Sequence, residues 1–287
     1  MGFRTITIKN HCKLEYSIGY LCIYGEKNVK IPIGEINTLI IQSNQCVLTS
    51  YLISKLNENK TKVIFCDEKA NPCCELSGFY NNYSNYSKIK KQILWDKNRC
   101  NKLWSAIIKE KITSEIILLK KIGKTEYDKL ECYIDEIEDG DASNREGHAA
   151  KVYFNALFGN DFSRDNDSEI NVFLNYGYSI IVSCLNRYIK AAGYLTELGI
   201  HHIGVTNPFN LTYDFFEPLR ALVDSYVVLK KVNSSDYKTI LTSVLSINVN
   251  LNGKRMFLEN AIQDYVNILI NYLNGDLENI SFIEYEF

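Results

Sequence analysis

Residues 143–159, SNREGHAAKVYFNALFG, form the stretch around which the rest of the chain can be arranged. Ser143 precedes Glu146 by three positions, which is the spacing of a capping box at the start of a helix. At 100° per residue, Glu146 shares a helix face with Tyr153 and Leu157, and this apolar face predicts burial. An unpaired buried carboxylate is costly. Glu146 is therefore either a helix cap or the partner of a cation such as a metal ion.

Strand-like segments precede this helix, and helical segments surround it. Short alternating runs separated by Gly, Asn and Glu turns predict strands over residues 3–48, and a helix and a buried strand follow before residue 67. From residue 89 onward the apolar spacing is helical. The pattern predicts an α+β protein with an amino-terminal β-domain, residues 1–77, and a larger all-α domain, residues 78–287.

Composition limits the class of protein. The chain has 287 residues, of which 46% are hydrophobic and 23% charged, so a globular protein rather than a disordered one is expected. No signal peptide and no run of about 18 apolar residues is present, which predicts a cytoplasmic protein without a membrane partner. The nine cysteines are scattered and include no CxxC pair, so reduced thiols are expected rather than a zinc site.

Charge is distributed unevenly along the chain, although the formal net charge is only −2. Residues 88–124 contain eleven Lys or Arg against three acids, and residues 126–141 contain eight acids and one lysine. Such a basic run is typical of a solvated helix face, and it also suits binding to an anionic partner. The sequence leaves these two interpretations open.

Candidate chemistry is concentrated in two segments. Three of the four histidines lie in them, His148 in the first and His201 with His202 in the second, and Asp214 and Glu217 follow soon after. One imidazole with carboxylates from two helical segments would make a mixed N and O ligand set that suits Mn²⁺ or Mg²⁺. The alternative is that these are hydrogen-bonded or surface groups. No GxSxG elbow is present, and no cysteine adjoins a histidine.

Several motifs match a known family in order and spacing. They are Ser143-Asn144-Arg145-Glu146-Gly147-His148-Ala149-Ala150, Tyr153-Phe154-Asn155, Phe158-Gly159-Asn160-Asp161-Phe162, His202 and Tyr213-Asp214-Phe215-Phe216-Glu217-Pro218-Leu219-Arg220. Together they closely resemble the integrase of CRISPR adaptation, the first and universal CRISPR-associated protein, in its type II-A branch. The resemblance covers essentially the whole chain, including the amino-terminal β-region.

This resemblance implies an asymmetric homodimer, with two dimers bridged by the second CRISPR adaptation protein. The other type II-A adaptation and effector proteins are expected as further partners. The implied reaction is a metal-dependent strand transfer that joins the 3′-hydroxyl ends of short foreign DNA fragments to the CRISPR repeat.

The same resemblance implies roles for individual residues. Glu146, His202 and Glu217 match the family's ligands for a divalent metal, Mg²⁺ or Mn²⁺, and Asp214 matches an acid beside the site. Many family members carry Asp where Glu217 stands, and the longer side chain still reaches a metal. His202 is preferred to His201 because it aligns with the family position.

The basic run becomes a candidate track for DNA phosphates, since Lys and Arg supply most sequence-independent affinity for DNA. Its proposed contacts are Lys90, Lys91 and Lys97, with Arg145 and Arg220 beside the predicted site.

Two other functions are compatible with the same residues. A metal-dependent nuclease of branched or single-stranded DNA would use water in place of the DNA hydroxyl. A catalytically inert scaffold that binds DNA ends would need Glu146 only as a helix cap.

Overall fold

The computed structural model describes residues 4–68, 72–76, 78 and 85–287. The chain divides into two compact units, Met1–Asn81 and Asn82–Phe287. The predicted domain boundary, between residues 77 and 78, falls in a segment most of which lies outside the described residues.

The first unit consists of two sheets and a helix. Its elements are β1 (Arg4–Ile8), β2 (Lys13–Ser17), β3 (Tyr20–Tyr24), β4 (Val29–Pro32), β5 (Ile36–Ile41), β6 (Val47–Leu48), α1 (Ser50–Glu58), β7 (Lys62–Cys66) and β8 (Pro72–Glu75). One sheet has the order β1-β5-β7-β8, in which β5 runs parallel to β1 and β7. The other has the order β4-β3-β2-β6, in which β3 is antiparallel to both β2 and β4.

Strand β5 lies between β1 and β7 in its sheet, and every residue of Ile36–Ile41 is buried. A strand with parallel neighbours on both sides is covered on both faces. Its sequence is therefore hydrophobic over most of its length rather than alternating between polar and apolar residues. Leu14, Leu21 and Leu52 pack with it in one core. The predicted β-region is confirmed.

The second unit is mainly helical. Its elements are α2 (Asn85–Ile93), α3 (Lys97–Lys121), α4 (Tyr127–Asp135), α5 (Arg145–Phe158), α6 (Glu169–Ala191), α7 (Asn210–Phe216), α8 (Arg220–Leu229), α9 (Tyr237–Thr242), β9 (Asn248–Leu251), β10 (Lys254–Phe257) and α10 (Leu258–Leu273). Asp96 caps α3 and Ser168 caps α6, each through a side-chain oxygen that accepts a backbone N–H. The buried sides of α3, α6, α8 and α10 form one continuous core.

The prediction that this unit is all-α is wrong in one place. Strands β9 and β10 form an antiparallel hairpin, joined at Asn252 and Gly253. Both turn residues have positive φ, 53° and 75°, which a two-residue hairpin turn requires and Asn-Gly adopts readily. Among the described residues, no helix is long and apolar enough to cross a membrane.

Candidate functional site

The amino terminus of α5 is capped by Asp141 rather than by Ser143. The two Asp141 carboxylate oxygens accept the backbone N–H groups of Arg145, at 2.8 Å, and Glu146, at 3.0 Å. The Ser143 hydroxyl instead donates to the carbonyl oxygen of Glu136, at 3.0 Å. The predicted capping box is therefore wrong, because a nearer carboxylate already satisfies the helix start. The Glu146 side chain is left available for another partner.

Glu146 and Glu217 meet on one buried cation. The Lys111 ammonium, in the middle of α3, donates to Glu146 Oε1 at 2.8 Å and to Glu217 Oε2 at 2.6 Å. The Lys111 side chain is 6% exposed and that of Glu217 only 1%, whereas Glu146 is 23% exposed. The site is thus a closed ion-pair cluster with Glu146 at its more open side.

A break in the helical backbone positions Glu217. Pro218 lacks an N–H, so α7 gives way to a 3₁₀ turn, Glu217–Leu219, before α8 begins. The break frees backbone carbonyls, and tyrosine hydroxyls satisfy two of them. Tyr285 donates to the Pro218 oxygen at 2.7 Å, and Tyr265 donates to the Phe215 oxygen at 3.0 Å. The turn that carries Glu217 is consequently stabilised by side chains from other segments as well as by its own backbone.

Arg220 fixes the orientation of the Glu217 carboxylate. Its Nε and Nη2 donate to the two Glu217 oxygens at 2.8 and 2.7 Å, a bidentate pair. Burial alone would keep Glu217 protonated, but the charges of Arg220 and Lys111 and their hydrogen bonds lower its pKa to about 2. Burial disfavours the ammonium of Lys111 too, yet Glu217 and Glu146 raise its pKa above the ordinary value. Glu217, Lys111 and Arg220 are therefore ionised at neutral pH.

Asp214 is buried and organises the loop that carries His202. Its carboxylate accepts the backbone N–H groups of Ile200, His201 and His202 at 2.7, 3.3 and 3.0 Å. Gly199 permits this close approach, since a Cβ there would lie 2.7 Å from Asp214 Oδ2 and 2.3 Å from the His202 carbonyl oxygen. A glycine is therefore required at position 199, shortly before the two histidines.

The same carboxylate holds the His202 ring. Asp214 Oδ1 lies 2.7 Å from Nδ1 of His202, and this hydrogen bond raises the pKa of the imidazole. The charges of Glu217 and Glu146 raise it further. When His202 is neutral, a proton on Nδ1 facing Asp214 leaves the lone pair on Nε2, the atom that a metal would use.

His201 has a different environment. Its ring stacks on the indole of Trp104, with centroids 4.0 Å apart and an interplanar angle of 6°. Burial lowers the pKa of His201. His202 rather than His201 has the carboxylate partner that orients a ligating imidazole.

A second set of buried acids lies behind the cluster. Asp224 accepts hydrogen bonds from the hydroxyls of Tyr153, at 2.8 Å, and Tyr178, at 2.5 Å, and burial raises its pKa to about 6. Glu115, one helical turn beyond Lys111, is 2% exposed, and burial raises its pKa to about 8. Neither Lys111 nor these two acids was singled out from the sequence.

The proposed ligands have the chemistry that a divalent cation requires, but the structure does not bring them close enough together to bind one. Two carboxylates and an oriented imidazole are ligands that suit Mg²⁺ or Mn²⁺. Within the residues the structure describes, however, no three His, Cys, Asp or Glu side chains are grouped closely enough to hold a metal. Glu146 and Glu217 share the Lys111 ammonium instead. The ligand set therefore stays a prediction.

The residues predicted to bind DNA fall into two groups. Lys90, Lys91 and Lys97 are exposed, and the first two line a cleft of about 490 Å³ with Trp95 and Tyr86. The guanidinium groups near the site are already paired. Arg145 donates to Glu136 at 2.6 Å, and Arg220 is committed to Glu217. Their DNA contacts stay predictions.

Comparison with known proteins gives consistent results over most of the chain. A family model described as "CRISPR associated protein Cas1" matches residues 6–263. A "CRISPR-associated endonuclease Cas1" from Neisseria meningitidis serogroup C (strain 8013) is 32% identical over 231 residues, covering 79% of this chain and 76% of that protein.

Two solved structures share the fold. A "Casposase bound to integration product" aligns with a TM-score of 0.79 at 18% identity, covering 97% of this chain and 92% of that one. A chain of a "Cas6-RT-Cas1--Cas2 complex" aligns with a TM-score of 0.71 at 16% identity, covering 95% of this chain and 35% of that one. The predicted arrangement of a strand-rich region followed by a helical region is confirmed.

Proposed function

The chain belongs to the Cas1 family of CRISPR-associated proteins, and we propose that it is the divalent-metal-dependent DNA integrase of a CRISPR adaptation system. It joins the 3′-hydroxyl ends of short foreign DNA fragments to the CRISPR array by transesterification. Sequence motifs favour the type II-A branch.

One observation carries the proposal: Glu146 and Glu217, from separate helical segments, converge on a single cation beside an oriented imidazole. Two carboxylates that converge on one position favour the binding of a cation at that position. Phosphoryl transfer needs such a site, because it depends mainly on alignment and charge neutralisation rather than on covalent help from the protein.

Glu146, Glu217 and His202 Nε2 would hold Mg²⁺ or Mn²⁺, which supplies Lewis-acid neutralisation of charge on the phosphate oxygens. Asp214 keeps the His202 proton on Nδ1, and the backbone N–H groups of residues 200–202 keep Asp214 in place. Arg220 prevents rotation of the Glu217 carboxylate through its two parallel hydrogen bonds. The attacking group is the 3′-hydroxyl of the fragment, not a protein side chain.

The proposed partners follow from the family and from the fold relatives. DNA, as fragment and as CRISPR repeat, binds along the exposed lysines of α2 and the start of α3. The protein acts as a homodimer with the second adaptation protein and the other type II-A proteins, in the cytoplasm. The casposase with its integration product and the Cas1–Cas2 complex support the DNA and protein partners respectively.

A joining assay tests this function. In the presence of Mn²⁺, the protein should join a labelled fragment to a plasmid that carries a CRISPR repeat, and Glu146→Ala should abolish joining without unfolding the chain. His148→Ala is the matched control, because His148 lies exposed on the same helix. A fragment ending in a 3′-deoxy nucleotide should bind and fail to join.

The same assay separates the two rival functions. Cleavage of the DNA without joining would identify a metal-dependent nuclease. DNA binding that Glu146→Ala leaves unchanged, with neither cleavage nor joining by the wild-type protein, would identify a scaffold.

A further inference from the structure

Lys111 stands where a cation shared by Glu146 and Glu217 belongs. Its ammonium is within 2.8 Å of one carboxylate and 2.6 Å of the other, and its side chain is 6% exposed. Any other cation that binds both glutamates has to share or take over this position.

The charges that are hydrogen-bonded together at Lys111 already balance. Glu146 and Glu217 contribute two negative charges, and Lys111 and Arg220 contribute two positive ones. The neighbouring Asp224, whose pKa is about 6, adds at most one more negative charge near pH 7. A divalent cation that joined these groups without displacing Lys111 would add two positive charges, and uncompensated charge in a buried site is costly.

We infer that the Lys111 ammonium competes with the divalent cation for Glu146 and Glu217, so that the chain without DNA binds metal weakly. This inference rests on the proposed metal site. Lys111 is then a positioning residue that keeps the two carboxylates together until the metal replaces it. Its role differs from that of Arg220, whose Nε and Nη2 both donate to Glu217.

A purely structural role for Lys111 makes the opposite prediction. Removing one partner of a buried ion pair leaves the other charge unpaired and destabilises the fold. In a structural role that loss would be independent of metal. In the competing role, a divalent cation takes over the vacated position and restores the lost stability.

The experiment measures Mn²⁺ affinity of the full chain without DNA, from the free Mn²⁺ signal in electron paramagnetic resonance. Lys111→Met and Lys111→Gln should each bind Mn²⁺ at least about tenfold more tightly than the wild type, because a unit positive charge next to the site is removed. Lys109→Met is the matched control, since Lys109 is exposed on the same helix. It should leave the affinity unchanged.

Thermal unfolding provides a readout that does not depend on activity. In EDTA both Lys111 variants should unfold at lower temperature than the wild type, and Mn²⁺ should raise their Tm by more than it raises that of the wild type. Adding Glu217→Gln to Lys111→Gln should remove the gain in affinity, which places the bound Mn²⁺ at this cluster. If neither variant folds, wild-type crystals soaked in Mn²⁺ should show Lys111 displaced from at least one carboxylate.

The outcomes are distinct. Equal or weaker Mn²⁺ binding by both folded Lys111 variants would overturn the competition while leaving the metal site intact. So would bound Mn²⁺ with both Lys111 hydrogen bonds preserved. Absence of Mn²⁺ binding by every variant, with or without a DNA fragment, would remove the proposed metal site and this inference together.

Discussion

Two groups of buried acids lie close together in the helical unit and are neutralised in different ways. Glu217 and Glu146 face the cations Lys111 and Arg220, and the pKa of Glu217 falls to about 2. Asp224 faces two tyrosine hydroxyls, and Glu115 is buried behind it, with pKa values raised to about 6 and about 8. The first group is stabilised by ion pairing, whereas burial favours the protonated form in the second group, and Glu115 is the member that keeps its proton at neutral pH.

The difference indicates that the two groups of acids have different roles. Ionised carboxylates with exchangeable cationic partners can accept another cation, whereas a protonated acid in an apolar site can only donate or accept hydrogen bonds. We expect substitutions in the first group to change joining and those in the second to change stability. Asp214 belongs with the first group, because its carboxylate accepts backbone N–H groups and holds the ring of the proposed ligand His202.

Apart from removal of a proposed ligand itself, the largest effect is expected from Asp214→Asn, which should reduce joining by about 10- to 100-fold, the usual cost of losing a group that orients a metal ligand. An asparagine amide can donate to His202 Nδ1, which would move the ring proton to Nε2 and block the ligating lone pair. Joining rates at saturating fragment would measure the effect.

Asp264→Asn is a suitable control for Asp214→Asn, since Asp264 is exposed on α10. If Asp214→Asn joined at the wild-type rate, Asp214 would belong with the structural acids and the comparison would fail at that residue. A circular dichroism spectrum of the variant checks that the loop change leaves the helices intact.

The sequence predicted Glu146, His202, Asp214 and Glu217 as site residues through the family resemblance, and the structure brings Glu146 and Glu217 together on Lys111. It did not locate Lys111, because eleven basic residues in residues 88–124 suggested a solvated face or a phosphate track. A helical signal was present nonetheless. Trp104, Ile108, Lys111 and Glu115 recur every three to four residues, on the buried side of α3.

Other features required tertiary information. Asp141 reaches the start of α5 only because the preceding 3₁₀ turn, Asp139–Asp141, directs its carboxylate there. The raised pKa of Glu115 comes from burial by residues distant in sequence. Strands were more predictable, because the run Lys62–Cys66 is apolar enough to indicate a buried strand by itself. Local pattern therefore predicted elements better than it predicted which charges would meet.

An intermediate effect is expected from neutralising Lys90, Lys91 and Lys97 to Gln together. Each lost phosphate contact should reduce the slope of log K against log salt by about one, so binding to unrelated sequences should weaken alike by several-fold at about 0.15 M salt. Binding of a labelled duplex at several salt concentrations measures this slope. The result sharpens the comparison, because it separates loss of DNA binding from loss of joining.

Lys230, Lys231 and Lys254 provide a control triple with the same charge change in the same unit, and all three are exposed. Equal salt slopes for the two triples and the wild type would return the residues of α2 and α3 to the status of a solvated surface.

The smallest effect on joining is expected from Glu115→Gln, which probes the acid that keeps its proton at neutral pH. Burial raises the pKa of Glu115 from 4.5 to about 8, so between these pH values the folded chain holds a proton that the unfolded chain has released. Stability from this group is therefore fully present below about pH 4.5 and is lost as the pH rises toward 8. Gln has no such proton, so the Tm of the variant should exceed that of the wild type increasingly from pH 5 to pH 8.

A difference on the order of 10 °C at pH 8 is expected, since each pKa unit corresponds to about 1.4 kcal/mol and 1 kcal/mol shifts Tm by about 2–4 °C in a domain of this size. Glu286→Gln, at an exposed position, should follow the wild-type Tm over the same pH range. Joining by Glu115→Gln at pH 7 should stay close to wild type, because Glu115 is already neutral there and Lys111 keeps both of its carboxylate partners. A Tm difference independent of pH would mean that Glu115 is ionised in the folded chain, and the two groups of acids would then not differ in the way they are neutralised.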